Sequence, residues 1–121
     1  MADSTGSSQE ITGMADDDGR STLEQFGAPE SIRDAFTELV LETGGRVWRR
    51  PGLEAAQRSL ATISVLTALV RPDELEAHIR MGLRNGLTER EICETIIHCA
   101  VYAGFPAAVR AMEVAKRVFD A

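Results

Sequence analysis

The sequence predicts an all-α fold, a single helical domain of about five helices joined by short connections. Apolar residues recur at spacings of three and four along most of the chain after residue 28, which is the period of an amphipathic helix. Proline and glycine divide this region into segments of helix length, and no segment alternates apolar and polar residues as a strand does. With 121 residues, of which 44% are hydrophobic, the chain has enough apolar material for one core.

The N-terminal segment has a different composition from the remainder of the chain. Residues 1–25 are rich in Ser, Gly and Asp and show no apolar period. Such a composition cannot bury enough apolar surface to offset the entropy of ordering. We therefore expect a disordered acidic leader over residues 1–25 and a helical domain over residues 26–121.

Two helices are predicted in the first half of the domain. The first begins near Pro29, follows an apolar stripe that includes Phe36, and ends at Gly44-Gly45. An extended linker, RVWRRPG, follows, because Arg50 precedes a proline. The second helix runs from Leu53 to about Val70, and its later part is apolar on nearly every side. Such a helix is either central in the domain or shared between subunits.

Three further helices are predicted from their start and stop signals. The third begins at Pro72 and ends at Asn85-Gly86. The fourth begins near Glu89, since Thr88 and Glu91 have the spacing of a capping box. The fifth follows the break at Gly104-Phe105-Pro106 and carries its apolar stripe at Ala107, Ala111, Val114, Ala115 and Val118.

Composition excludes several classes of protein. A net charge of −6 argues against nucleic-acid binding, which needs a basic surface. No stretch approaches the ~18 consecutive apolar residues of a membrane span, and the N-terminus is acidic and polar, unlike a secretory signal. We expect a cytoplasmic protein without membrane or nucleic-acid partners. A small domain struggles to cover a helix that is apolar all round, so we also expect a homo-oligomer.

Both histidines of the chain follow a glutamate by four residues. Glu74 precedes His78, and Glu94 precedes His98, with Tyr102 one turn further on. A carboxylate one turn away favours the protonated imidazole, which then serves as an acid near neutral pH. The alternative is structural: His98 is a satisfied core residue, and Glu74 and His78 lie on a solvent-exposed face.

A metal site is the rival interpretation of these two pairs, since together they offer four ligands. Di-iron bundles, however, place Glu and His three residues apart and draw more glutamates from the other helices. The two cysteines, Cys93 and Cys99, lack the spacing of a zinc site or a redox dithiol. We expect neither a metal nor an intrachain disulfide.

A basic cluster stands out in this acidic chain. Arg46, Arg49 and Arg50 surround Trp48, and Arg58 follows near the start of the second helix. Arginine binds carboxylates through two parallel hydrogen bonds, and Trp48 can form the wall of a pocket, so the cluster favours a small anionic substrate. The alternative is that these arginines solvate a linker or pair with acids of a neighbouring subunit.

Five motifs in this order carry a resemblance to a known family: W-x-R-P-G-L from Trp48, R-S-L from Arg58, R-x-D-E-L-x-x-H from Arg71, N-G-L-T from Asn85, and H-x-A-V-Y-A-G-F-P from His98. The chain resembles the carboxymuconolactone decarboxylase family across nearly all of residues 46–118. The resemblance implies an alkylhydroperoxidase-like helical domain that assembles into a ring, as a trimer or hexamer, with active sites near subunit interfaces.

The same superfamily includes peroxidases with C-x-x-C-x-x-x-H at the position of RPDELEAH. Here Arg71 and Glu74 stand at the two cysteine positions, and only His78 matches. Without a dithiol there is no electron source for that peroxidase chemistry. The resemblance therefore implies the decarboxylase branch, with no cofactor.

In this resemblance the catalytic residues are His78, as acid or oxyanion donor, Glu74, which orients it, and His98. Substrate binding falls to Arg58, Arg50, Trp48, Glu94 and Tyr102. Residues 1–27 lack the G-x-x-x-R-x-x-V-L-G stretch usual in the decarboxylases. Two alternatives therefore stay open: an isomerisation, dehydration or cyclisation in a biosynthetic pathway, and a non-catalytic binding or assembly module.

Overall fold

The computed structural model describes residues 27–121, which contain five α-helices and no β-strand. The predicted all-α class and the predicted helix number are confirmed for this part of the chain. The predicted leader over residues 1–25 lies outside the described residues. The helices are α1 (Glu30–Trp48), α2 (Ala55–Leu69), α3 (Pro72–Arg84), α4 (Glu89–Ala103) and α5 (Phe105–Phe119).

The chain divides into two compact units, Met1–Leu53 and Glu54–Ala121. In the described residues the first unit contributes α1, and the second contributes α2 to α5. All of the buried apolar cluster belongs to the second unit.

Helix α1 runs without interruption through Gly44-Gly45 to Trp48. The predicted stop at the glycine pair is wrong, and so is the extended conformation predicted for residues 46–48. A glycine inside a helix costs only ~1 kcal/mol relative to alanine, which the rest of a 19-residue helix can offset. The helix ends just before Arg50, whose backbone is restricted by Pro51.

The predicted boundaries of α3 and α4 are confirmed by local hydrogen bonding and backbone geometry. Pro72 is the first residue of α3, and Gly86 adopts a positive φ of 102° just beyond its end. At the start of α4, the Thr88 hydroxyl accepts a hydrogen bond from the Glu91 amide at 3.0 Å. The Glu91 carboxylate accepts one from the Thr88 amide at 2.8 Å, which completes the capping box.

Helices α2 to α5 pack into a four-helix arrangement. Helix α2 packs against α3 and α4, and α5 packs against the same two helices, so α3 and α4 lie diagonally across the bundle. As predicted for a central helix, α2 also contacts α5. The core side chains come from all four helices and include Ile63, Leu75, Ile79, Ile92, Ile96, Ala111 and Val114.

The register between α2 and α3 is fixed by a polar contact within this core. The Asn85 side-chain amide donates a hydrogen bond to the hydroxyl of Ser59, which is completely buried, at 2.9 Å. Gly82 faces the same part of α2, since a Cβ placed there would lie 3.3 Å from Ile63 Cδ1 and 3.6 Å from Ser59 Cβ. The two helices are therefore antiparallel, with Ser59 opposite Gly82.

Candidate functional site

His78 lies half-buried on α3, and its Nδ1 atom is buried without a hydrogen-bond partner in the described chain. Burial lowers the pKa of His78, and the nearby Glu74 carboxylate raises it by less. Glu74 thus favours the protonated imidazole, as expected from its spacing, but burial outweighs this effect in the ligand-free chain. Near neutral pH the imidazole is neutral, with one nitrogen able to donate a hydrogen bond and the other able to accept one.

Arg58 leaves α2 on the same side of the α2–α3 pair as His78. Ser59 and Gly82 face each other, Arg58 precedes Ser59, and His78 precedes Gly82 by slightly more than one turn. In an antiparallel pair, the residue just before the facing residue, or about one turn before it, points to the same side of the pair on both helices. At ~1.5 Å per residue, the two positions are separated by about 7.5 Å along the helix axes.

The half-buried Arg58 and the half-buried His78 thus border one side of a helix pair. Glu74 lies one turn before His78 on the same helix, and its side chain is exposed. A guanidinium that binds a carboxylate and an imidazole that handles a proton are the two groups that an acid-processing site needs. The predicted roles of Arg58 in substrate binding and of His78 and Glu74 in catalysis stay predictions.

The stripe formed by Glu94, His98 and Tyr102 lies on the outer face of α4. All three side chains are exposed, Tyr102 by 81%. The rings of His98 and Tyr102 contact each other, with centroids 5.4 Å apart and planes at 45°. Since α3 and α4 are diagonal in the bundle and His98 faces outward, a single chain does not bring His78 and His98 together. The predicted role of His98 in catalysis stays a prediction.

Trp48 and Arg50 belong to the first unit. Trp48 is the last residue of α1 and is half-buried, and Arg50 is exposed two residues later. The Arg50 backbone amide donates a hydrogen bond to the Val47 carbonyl at 3.1 Å, which closes the end of the helix. The predicted role of both residues in substrate binding stays a prediction.

An apolar groove of about 470 Å³ lies open between α4 and α5, and sequence reasoning missed it. Val101 is 73% exposed and Phe105 is 74% exposed along this groove. The signal was present in the sequence, since apolar residues recur every fourth position from one helix into the next at Ile97, Val101, Phe105 and Val109. His98 and Tyr102 each follow a groove residue directly, so they border the groove rather than line it.

Residues 27–121 include both cysteines of the chain. No group of three or more His, Cys, Asp or Glu side chains within this range is placed to hold a metal ion. Both cysteines are free, and Cys99 is buried. Burial, followed by the charges of Glu89 and Glu94, raises the pKa of Cys93, so its thiol is protonated and a poor nucleophile.

No helix within the described residues combines the length and the apolar character needed to cross a bilayer.

Relatives with curated names support a common ancestry with decarboxylases. The chain is 53% identical over 75 residues to the 4-carboxymuconolactone decarboxylase of Acinetobacter baylyi, a match that covers 62% of this chain and 56% of the relative. It is 42% identical over 84 residues to the nitrosuccinic acid decarboxylase of Metarhizium robertsii, covering 69% of this chain and 59% of the relative. An uncharacterized 15.0 kDa protein of Paracoccus denitrificans is 40% identical over 78 residues, covering 62% and 58%. The chain thus spans less than two thirds of the length of these relatives.

A family model extends this similarity over most of the described helices. The match covers residues 34–117, from the second turn of α1 into the last turn of α5. Both the half-buried His78 and the neighbouring Arg58 fall within it, as do the Glu94, His98 and Tyr102 stripe and the apolar groove. The chain therefore belongs to the carboxymuconolactone decarboxylase family.

Proposed function

We propose that this protein is a cytoplasmic carboxy-lyase that removes CO2 from a small anionic acid such as 4-carboxymuconolactone, without a cofactor or metal. The observation that carries the proposal is the side of the α2–α3 pair where His78, with an unpartnered buried nitrogen, stands near Arg58. Family membership and two relatives named as decarboxylases agree with this chemistry.

The names of those two relatives indicate a substrate class. A carboxymuconolactone carries its electron-withdrawing group as a conjugated lactone carbonyl, and nitrosuccinic acid carries a nitro group. In both acids the electron pair left behind by CO2 can be delocalised onto oxygen atoms of the substrate. We therefore propose that the substrate of this chain is an acid whose own electron-withdrawing group accepts the electron pair. For such an acid the reaction needs no cofactor.

The reaction balances with one proton from solvent. The bond between the ring carbon and the carboxylate breaks, CO2 leaves, and the electron pair moves through the conjugated double bond to the lactone oxygen. The resulting dienolate is then protonated at carbon. The enzyme has three tasks: to hold the acid, to stabilise the developing oxyanion by hydrogen bonds, and to deliver the proton.

Arg58 and His78 fit these tasks. The Arg58 guanidinium binds a carboxylate of the substrate that is not lost, through paired hydrogen bonds. The His78 imidazole donates its N–H to the oxyanion. An anion bound beside the ring also raises the pKa of His78, against the lowering by burial, and Glu74 acts in the same direction. His78 thus takes up a proton when substrate binds and can pass it to carbon.

We further propose a ring-shaped homo-oligomer, a trimer or hexamer, in which a second copy covers the groove between α4 and α5. The groove is apolar, and Glu113 and Lys116 stand at its edge with opposite charges, so charged side chains of a second copy can pair with them. The cover would also enclose His98, Tyr102 and Glu94, which then shape the substrate pocket. The roles predicted for Trp48 and Arg50 in binding an anionic substrate are kept as part of the proposal.

The test is turnover by the full chain with 4-carboxymuconolactone and with nitrosuccinate, measured as CO2 release and as product by mass spectrometry. We expect His78→Ala to lower kcat at least a hundredfold, within the range typical for loss of a proton-transfer group. We expect Arg58→Gln to act mainly on KM. The matched change Arg90→Gln, at an exposed arginine on α4, leaves both constants unchanged.

Other outcomes distinguish the alternatives. Conversion of an acid without CO2 release would indicate an isomerase, dehydratase or cyclase on the same scaffold. Binding without any conversion would indicate a non-catalytic module. Wild-type turnover by His78→Ala would remove His78 from the mechanism while leaving the family assignment intact.

A further inference from the structure

A small cleft lies at the turn between α2 and α3, where α5 packs against both helices. Its volume is about 10 Å³, enough for one water molecule or for one oxygen atom of a larger ligand. Apolar side chains form most of its wall, and Thr67, Arg71 and Arg110 contribute the polar groups. None of these three residues belongs to the site proposed for decarboxylation.

The Thr67 hydroxyl is the unusual feature of this cleft. Thr67 is only 1% exposed, and its Oγ1 atom has no hydrogen-bond partner. A buried hydroxyl without a partner costs ~1–3 kcal/mol. Other threonines on these helices avoid this cost: Thr62 donates to the Arg58 carbonyl at 2.9 Å, and Thr95 donates to the Glu91 carbonyl at 2.8 Å. Thr67 does not make this bond within its helix, and Thr67 is one of the residues that line the cleft.

Two arginines flank the same cleft from different helices. Arg71 precedes α3 and Arg110 lies on α5, and both side chains are exposed. Neither forms an ion pair with any residue in the range 27–121, although the second unit contains several paired arginines, such as Arg80 and Arg117 with Glu76. A donor inside the cleft and two cationic donors at its mouth together match the acceptor pattern of an anion.

We propose that Thr67, Arg71 and Arg110 form a binding site for the carboxylate group of a small molecule. One carboxylate oxygen enters the cleft and accepts a hydrogen bond from the Thr67 hydroxyl. The other oxygen stays at the mouth and accepts hydrogen bonds from the guanidinium groups. The size of the cleft admits one oxygen and excludes the rest of the ligand, which lies outside.

This site is separate from the side of the helix pair that holds Arg58 and His78. Ser59 is the residue of α2 that faces α3. Around the axis of α2, Thr67 lies about 80° from Ser59 in one direction, and Arg58 lies about 100° from it in the opposite direction. The inference therefore does not depend on the proposed decarboxylation. It assigns a second place where the acidic chain binds an anion.

Acetate is the probe for the test, with sodium chloride at equal ionic strength as the reference. Acetate is titrated into the full chain while the Nε–Hε signals of the arginines are followed by NMR and Tm is measured. We expect saturable shifts at Arg71 and Arg110 and a rise in Tm with acetate concentration. Thr67→Val should weaken acetate binding about tenfold, the loss of one hydrogen bond to a charged group.

Two variants control for folding and for general charge effects. Without acetate, Thr67→Val should be at least as stable as wild type, since it removes a buried hydroxyl that has no partner. Thr95→Val makes the same change on α4 and should leave the acetate response of wild type. Arg110→Gln should weaken acetate binding without lowering Tm in its absence.

An equal acetate response in wild type and Thr67→Val would overturn the proposal, since the cleft would then hold no more than a water molecule. So would equal shifts with acetate and with chloride. Shifts at Arg71 and Arg110 that follow protein concentration instead of acetate would also overturn it, because the carboxylate would then come from an acidic side chain of a second copy.

Discussion

His78 carries a half-buried imidazole whose pKa is lowered by burial more than Glu74 raises it. In the unfolded chain the ordinary pKa of histidine, 6.5, applies. As the pH falls below 6.5, His78 is protonated in the unfolded chain before it is protonated in the folded chain. The free energy of unfolding therefore falls as the pH falls from 6.5 through the pKa of His78 in the folded chain. The contribution of His78 to stability is therefore most favourable above pH 6.5.

We predict that His78→Gln flattens this dependence. The free energy of unfolding is measured by urea denaturation at pH 7.5 and at pH 5.5. We expect the decrease between these two pH values to be smaller in the variant than in wild type. An unchanged slope in His78→Gln would show that the imidazole takes up a proton as readily in the folded chain as in the unfolded one.

The sequence proposes His78 and Arg58 as site residues but does not give the electrostatic environment of His78. The Glu-to-His spacing and the R-x-D-E-L-x-x-H motif are local and can be recognised in the letters alone. The balance between burial and the Glu74 charge depends on how deeply α3 packs, which spacing along one helix does not report. The same limit applies to His98, whose apolar helix suggested a covered position and whose side chain is exposed in the single chain.

Helices α2 and α3 are joined through Val70, which adopts a left-handed conformation with φ of 57°. This region is unfavourable for a β-branched residue by ~1–2 kcal/mol, whereas glycine occupies it freely. Val70 is 47% exposed, so its side chain contributes little burial. The strain is the cost of turning directly from one helix into the next.

We predict that Val70→Gly raises the free energy of unfolding by ~0.5–1 kcal/mol, after the greater freedom of glycine in the unfolded chain is subtracted. Chemical denaturation measures the change. The matched variant Val65→Gly, at an exposed position inside α2, should lower stability because glycine disfavours a helix interior. Destabilisation by both changes would argue against strain at Val70.

The contact between Ser59 and Asn85 sets the register that places Arg58 relative to His78. We predict that Asn85→Ala costs ~1–3 kcal/mol, because the completely buried Ser59 hydroxyl loses its donor. The double variant Ser59→Ala/Asn85→Ala should recover part of this loss, since neither partner is then left unsatisfied. A double-mutant cycle by urea denaturation gives the coupling, and a coupling near zero would contradict the proposed role.

At the level of helices, the sequence predicted what depends on local signals and failed where packing decides. The capping box at Thr88 and the proline start of α3 act within one turn, so both boundaries agree with the structure. The glycine pair in α1 was taken as a stop, but the cost of two glycines is small against a long helix. The contact between Ser59 and Asn85 joins two helices and has no signature along the chain.

At the scale of the whole molecule, the open groove between α4 and α5 is the surface that we expect to be covered. We predict that Phe105→Asp shifts the mass of the protein from an oligomer toward a monomer, because it places a charge in an apolar interface. Size-exclusion chromatography with light scattering measures this. Leu69→Asp, at an exposed apolar residue outside the groove, should keep the mass of wild type. A monomer with Leu69→Asp and an oligomer of wild-type mass with Phe105→Asp would instead place the interface on α2.

The fold class followed from periodicity, but the arrangement of the helices did not. Four amphipathic helices with short connections can pack in several ways, and the diagonal placement of α3 and α4 depends on side-chain fit across the core. Because α3 and α4 are diagonal, His78 and His98 lie apart within a single chain.

The hydrophobic cluster of the protein draws every member from residues that follow Leu53, and α2 begins with its own closure, in which the Glu54 amide donates to the Gln57 side chain at 2.9 Å. A peptide that starts at Glu54 keeps both the interior and this closure. We expect such a peptide to fold by itself, with a cooperative melting transition by circular dichroism. Removal of helix α1 should then leave the bundle that carries His78 intact.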